Sequence, residues 1–134
     1  MTVNSGASDG LPLLDDAALW ATVVGQEAAV TLLRRAAAQP VHAYLLVGPP
    51  GAGRTEAARA FAGALFAGDG FAGNGSAGNG SAGPSDPSSE DGHRHRGLAV
   101  AGRHPDLILV EPEGRSLLVA DAERITVEGW RSPI

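Results

Sequence analysis

The chain contains no cysteine, which excludes a disulfide framework and a thiolate zinc site. It contains no lysine either, so all ten basic residues are arginine, in a chain crowded with alanine and glycine. That pattern reads as a GC-rich coding bias and weakens the functional meaning of any single arginine. Fifteen acidic groups leave a formal net charge of −5 and a pI near 5.2. Such a balance argues against free-standing nucleic-acid binding, which wants a basic face. Aromatic residues are few, and Trp20 and Trp130 read as packing residues rather than a stacking platform for bases. No apolar run approaches a membrane span, and Met1 to Asp9 lacks the basic flank and apolar core of a signal peptide. No membrane partner is expected, and the expected location is the cytoplasm. At 134 residues there is room for one domain at most.

What is present divides into four parts. Residues 1–14 read as a flexible leader. Residues 15–67 carry helical and strand-like patterns. Asp15-Asp16 suits a helix start, because acidic groups favour the positive end of the helix dipole. A second helix is expected from about Gln26 to Gln39, with Ala29, Val30, Leu32, Leu33, Ala36 and Ala37 at three- and four-residue spacing. Pro40 ends it. Ala43 to Val47 is a continuous apolar run, which predicts a strand buried on both faces. A third helix follows Gly53, with Ala57, Ala58, Ala60, Phe61, Ala64 and Leu65 on one face.

Residues 68–103 break the pattern. Gly73 to Ala77 is repeated as Gly78 to Ala82, and a Pro/Ser/Asp stretch with a His/Arg patch follows. This composition predicts a flexible surface insertion, because it buries too little apolar surface to offset chain entropy. Residues 104–134 resume with a second apolar run, Leu107 to Val110, expected as a second buried strand. A turn at Glu113 to Arg115, a short strand or extended segment at Leu117 to Val119, and a helix from Asp121 to about Trp130 complete the chain. In that last helix Ala122, Ile125 and Val127 are expected inward. The fold class expected is α/β, a parallel sheet with flanking helices of the P-loop type, truncated after about two core strands. A sheet that short leaves apolar edges uncovered, and an association-prone chain is expected.

The chemistry concentrates in Gly48-Pro49-Pro50-Gly51-Ala52-Gly53-Arg54-Thr55. A phosphate loop reads Gly, four residues, Gly, Lys, then Ser or Thr. Its glycines let backbone N–H groups curl around phosphates, the lysine neutralises charge, and the hydroxyl holds Mg²⁺. Arg54 stands at the lysine position. Guanidinium is planar and larger than ammonium, yet it still brings a positive charge to phosphate. The expected strand before the loop and helix after it are the context such a loop requires.

The histidines invite a metal reading that the spacing does not support. His93 and His95 lie in a polar tract, whereas zinc wants three or four ligands in a closed arrangement. His104, ahead of Pro105, reads as a residue that sets a turn, and His42 as a boundary residue. Arg94, Arg96 and Arg103 have Glu90 and Asp91 for company, so the tract reads as a solvated loop.

Three further boxes carry a resemblance. Trp20-Ala21-Thr22-Val23-Val24-Gly25-Gln26, then His42 to Gly51, then His104-Pro105-Asp106 resemble the AAA+ clamp-loader subunits of bacterial DNA polymerase III, with the closest look to the delta-prime subunits. Trp130 to Ile134 resembles that family's stretch before its third core strand. The likeness covers about residues 18–67 and 104–134. It implies that Val23, Val24 and Gly25 line the adenine side of a nucleotide pocket. Gly48, Pro49, Pro50, Gly51, Ala52 and Gly53 would wrap the phosphates, Arg54 would take the lysine position, and Thr55 the Mg²⁺ position. ATP and Mg²⁺ are the cofactors implied. The partners implied are other clamp-loader subunits and the polymerase III holoenzyme, with primed DNA met indirectly. The role implied is a stator that helps load the sliding clamp.

Two departures qualify the resemblance. A zinc module common in the family between the P-loop helix and the His-Pro-Asp box is replaced by the glycine-rich insertion. The chain also ends before the acidic Walker B strand, the sensor residues and the collar domain. It therefore reads as an N-terminal fragment of that architecture, with no catalytic residue assigned and ATP hydrolysis not expected. A working AAA+ ATPase, a small P-loop kinase and a non-functional gene fragment stand as rival readings.

Overall fold

A computed structural model describes residues 10, 11, 13–69, 88, 90–111 and 118–129. The leader before Gly10, the duplicated Gly-Asn-Gly-Ser-Ala segments, the turn at Glu113 to Arg115 and the terminal Trp130 to Ile134 box lie outside those residues.

Helix α1 spans Asp16–Ala21. Asp15 caps it by accepting the Ala18 amide at 2.7 Å, which satisfies one of the N–H groups a helix start leaves open. Helix α2 spans Glu27–Ala38, with Glu27 in its first turn and Arg35 in its last, both complementing the helix dipole. Leu33 and Ala37 are its buried residues, and Val30 and Ala36 pack against the same core. Helix α3, Arg54–Ala64, buries Ala57, Ala60, Phe61, Gly63 and Ala64. These three helices converge on Leu19, Trp20, Val23, Leu33, Phe61 and the α3 alanines. The small residues of α3 set the close approach. A Cβ on Gly63 would lie 3.0 Å from Leu19 Cδ1 and 3.3 Å from the Arg96 Cα.

A π-helical turn over Leu65–Asp69 ends α3, with Gly68 at φ 97°. Helix α4 spans Glu90–Val100 and packs against α3 and this turn. Its C-terminus closes as a Schellman motif: Arg103 N–H donates to Leu98 O at 2.8 Å and Gly102 N–H to Ala99 O at 2.9 Å. Gly102 holds the left-handed φ of 67° that this closure needs. Helix α4 lies inside the stretch that composition marks as an insertion. It was hidden because its buried face is Gly92, Arg96, Gly97 and Ala99, which makes no apolar stripe. Helix α5 spans Val119–Gly129. Its Ala122, Ile125 and Val127, expected inward, are exposed.

The expected parallel sheet is not formed. Among the described residues there is no strand, and the elements are helical throughout. Ala43 to Val47 and Leu107 to Val110 run without a hydrogen-bonded ladder, so neither is a core strand and the fold is not the α/β sheet architecture. The physical reason lies in the partner. A continuous apolar run specifies a buried strand only where a neighbouring strand supplies its N–H and C=O groups. Here Tyr44 pins the first run instead: its hydroxyl accepts the Val41 amide at 2.8 Å, and its ring stands edge-on to Phe61 with centroids 4.7 Å apart. Leu46 turns toward the core, while Leu45 and Val47 remain 88% and 84% exposed. Among the described residues no helix is long and apolar enough to cross a membrane.

Candidate nucleotide site

The glycine loop leaves the extended run at Gly48 and enters α3 at Arg54. Gly51 and Gly53 hold φ of 80° and 77°, a left-handed conformation that glycine adopts at no steric cost. Ala52 N–H closes back on Pro49 O at 3.2 Å, and Ala57 N–H donates to Gly53 O at 2.9 Å as α3 begins. The loop is tight at its start. A Cβ on Gly48 would sit 3.3 Å from Ala52 Cβ and 3.8 Å from the aliphatic carbons of Arg54.

This loop separates two cavities. One, of about 260 Å³, is lined by Thr22, Val23, Val24, Gln26, Gly51, Ala52, Gly53 and Glu56. It unites the segment after α1, with Val23 and Val24, and the loop's glycines. Val23 is buried and packs into the core, whereas Val24 is 85% exposed. Gly25 turns the chain with φ 70° between them and α2. The other cavity is a groove of about 500 Å³, walled by α2, the run from Tyr44 to Val47, and Gly48, Pro49, Ala52, Gly53 and Arg54. Arg54 thus lines the groove and not the cavity that Val23 and Val24 line. Pro50 and Thr55 are exposed and contribute to neither wall.

Three residues of the smaller cavity were not assigned from sequence. Gln26 borders both cavities, and its place directly after Val-Val-Gly was the available signal. Thr22 lines the smaller cavity, with its hydroxyl donating to Leu19 O at 2.7 Å. Glu56 brings a carboxylate to the same wall, 3.8 Å from where a Cβ on Gly53 would lie. That negative charge opposes a phosphate there, and the first-turn position of Glu56 was legible only as a helix-dipole preference.

The fit to a nucleotide rests on the backbone. Two left-handed glycines and a crowded Gly48 form a loop whose shape side chains would fill, which suits close backbone approach to an anion. His104, by contrast, joins the turn at the end of α4, away from this site, as its reading as a turn-setting residue anticipates. Among the described residues no group of three or more His, Asp or Glu side chains could hold a metal ion.

A glycine loop opening a helix is one part of a phosphate-loop arrangement, and the strand that such a loop follows is not formed among the described residues. Residues 19–69, from α1 through the π-helical turn, match the family model described as magnesium chelatase, subunit ChlI, an AAA+ family. The match supports an AAA+ relationship for that segment and an AAA+ ATPase-related role, without singling out the delta-prime subunits. No curated protein and no solved structure matches the chain.

Proposed function

We propose that the chain is an AAA+ type subunit that holds a nucleotide phosphate weakly at Gly48 to Thr55 and acts through subunit contacts. In its finer form, the proposal is a DNA polymerase III delta-prime-like stator in loading the sliding clamp on primed DNA. The observation that carries the nucleotide reading is the pair of left-handed glycines, Gly51 and Gly53, leading into α3 beside Val23 and Val24. Bound ATP with Mg²⁺ would supply the anion and the metal. The chain would supply loop N–H groups and the Arg54 charge, and the Thr55 hydroxyl, which lines neither cavity, would have to turn toward the loop to reach Mg²⁺. Arg54 in the separate groove and Glu56 in the cavity with Val23 and Val24 support weak holding rather than turnover.

Calorimetric titration of the 134-residue chain with ATP and Mg²⁺ tests this, beside Arg54→Lys and Thr55→Ala. The expected result is weak binding without turnover, tightened by Arg54→Lys and weakened by Thr55→Ala. Absence of binding in both the unchanged chain and Arg54→Lys would sink the nucleotide reading. The family match favours a second reading, a magnesium chelatase subunit. ATP turnover by the chain that disappears in Thr55→Ala would select a working ATPase over the stator. Co-purification with chelatase subunits rather than clamp-loader subunits would select that second reading.

A further inference from the structure

The corner that follows α4 is built around one buried imidazole. His104 is 4% exposed, and its ring lies flat on Phe66 of the π-helical turn, with centroids 4.0 Å apart and planes 7° from parallel. The Schellman closure at Gly102 and Arg103 delivers it there. Its two nitrogens face different partners. Nδ1 lies 3.1 Å from the Asp106 amide, which donates to it. Nε2 lies 2.8 Å from His95 Nδ1 on α4.

Counting hydrogens fixes the state of both rings. A backbone amide only donates, so His104 Nδ1 must accept and carry no proton. Neutral His104 therefore carries its hydrogen on Nε2 and donates it to His95 Nδ1. Neutral His95 in turn carries its own hydrogen on Nε2. Every contact in this chain then has one donor and one acceptor. A further proton finds no place at either contact: on His104 Nδ1 it confronts the Asp106 N–H, and on His95 Nδ1 it confronts the His104 Nε2–H.

We propose that His95 and His104 form a proton-operated latch, which holds the 103–106 corner on α4 and Phe66 only while both rings are neutral. This inference is independent of nucleotide binding. The surrounding charges act in both directions. His95 on α4 opposes a proton on His104, and Arg96 on the same helix and Arg103 in the corner are the other cations in sequence around the pair. Arg59 of α3 brings a cation to the same corner, its guanidinium 3.4 to 3.6 Å from where a Cβ on Gly102 would lie. Asp106 favours a proton, with Oδ2 at 3.9 Å from His104 Nδ1. Phe66 contributes no charge and excludes water from the ring face.

The balance falls against the charged form. Burial lowers the His104 pKa below its ordinary 6.5, His95 lowers it further, and Asp106 partly restores it. With the folded value depressed, the opened corner binds more protons than the closed one in the interval below 6.5. The closed state is thus fully favoured above that value and loses its advantage as pH falls toward the lowered one. Opening frees the segment that begins at Leu107, whose amide is held by His104 O at 3.0 Å.

Amide exchange in the full chain, corrected for intrinsic rates, tests the latch between about pH 7.5 and about pH 5.5. Protection of the Asp106 amide is expected to fall severalfold, by up to about tenfold, across that interval, while Ala57 in α3 keeps its protection. Nitrogen shifts of His104 at the higher pH should report hydrogen on Nε2. In His104→Phe, which keeps the stack but removes the acceptor, Asp106 should be poorly protected at both pH values. Unchanged Asp106 protection in the unsubstituted chain overturns the latch, and so does hydrogen on His104 Nδ1. If His104→Phe does not fold, the Asp106-to-Ala57 comparison in the unsubstituted chain decides alone.

Discussion

The indole N–H of Trp20 donates to Asp16 Oδ1 at 3.0 Å, one helical turn back along α1. The second carboxylate oxygen takes Arg34 of α2 at 2.8 Å, and the same guanidinium lies 5.8 Å from the Trp20 ring. One aspartate thus serves a buried donor and an exposed cation at once, and the two contacts carry unequal weight.

Asp16→Ala leaves the indole N–H of a side chain only 4% exposed without its acceptor. The expected cost is about 1–2 kcal/mol, the penalty for an unpaired, largely buried donor. Arg34→Ala breaks the half-exposed ion pair and the outer contact with the Trp20 ring, and should cost less than about 1 kcal/mol. Urea midpoints of the two variants check the order, and equal losses would refute it.

Gly63→Ala forces a methyl between α1, α3 and α4, against the backbone of Arg96. Overpacking of that kind costs about 1–3 kcal/mol, against a helix-propensity gain of about 1 kcal/mol. A net loss in melting temperature is expected. A more stable variant would mean that α4 does not approach α3 as closely as described.

Leu45 and Val47 stand largely exposed on the extended run. Replacing both with glutamate should change stability by no more than about 0.5 kcal/mol while reducing self-association in sedimentation velocity. A large stability loss would show that these side chains are covered in the folded chain.

How far the sequence was legible follows from these elements. Helices α1 to α3 announced themselves through caps, spacing and Pro40, because amphipathic period and capping are local signals. Val23-Val24 and the glycine loop stood out through box and motif, and both line the smaller cavity. The sheet was not, because apolar runs such as Ala43 to Val47 do not say whether a neighbouring strand exists. Helix α4 escaped because Gly92, Gly97 and Ala99 pack by being small. Its ending was nonetheless written in Gly102, a glycine two residues past the last helical residue. The His95 to His104 contact joins residues nine apart through a helix and a turn, which spacing alone does not reveal.

Tyr44 has one more consequence. With no ladder to fix its register, the run before the glycine loop is located by a phenol held at Val41 and against Phe61. Three residues separate that phenol's own position from Gly48. A slip of one residue at Tyr44 would displace the loop by the same step and exchange Leu46 for its outward neighbours. Tyr44 is therefore the datum point from which the whole phosphate loop is measured.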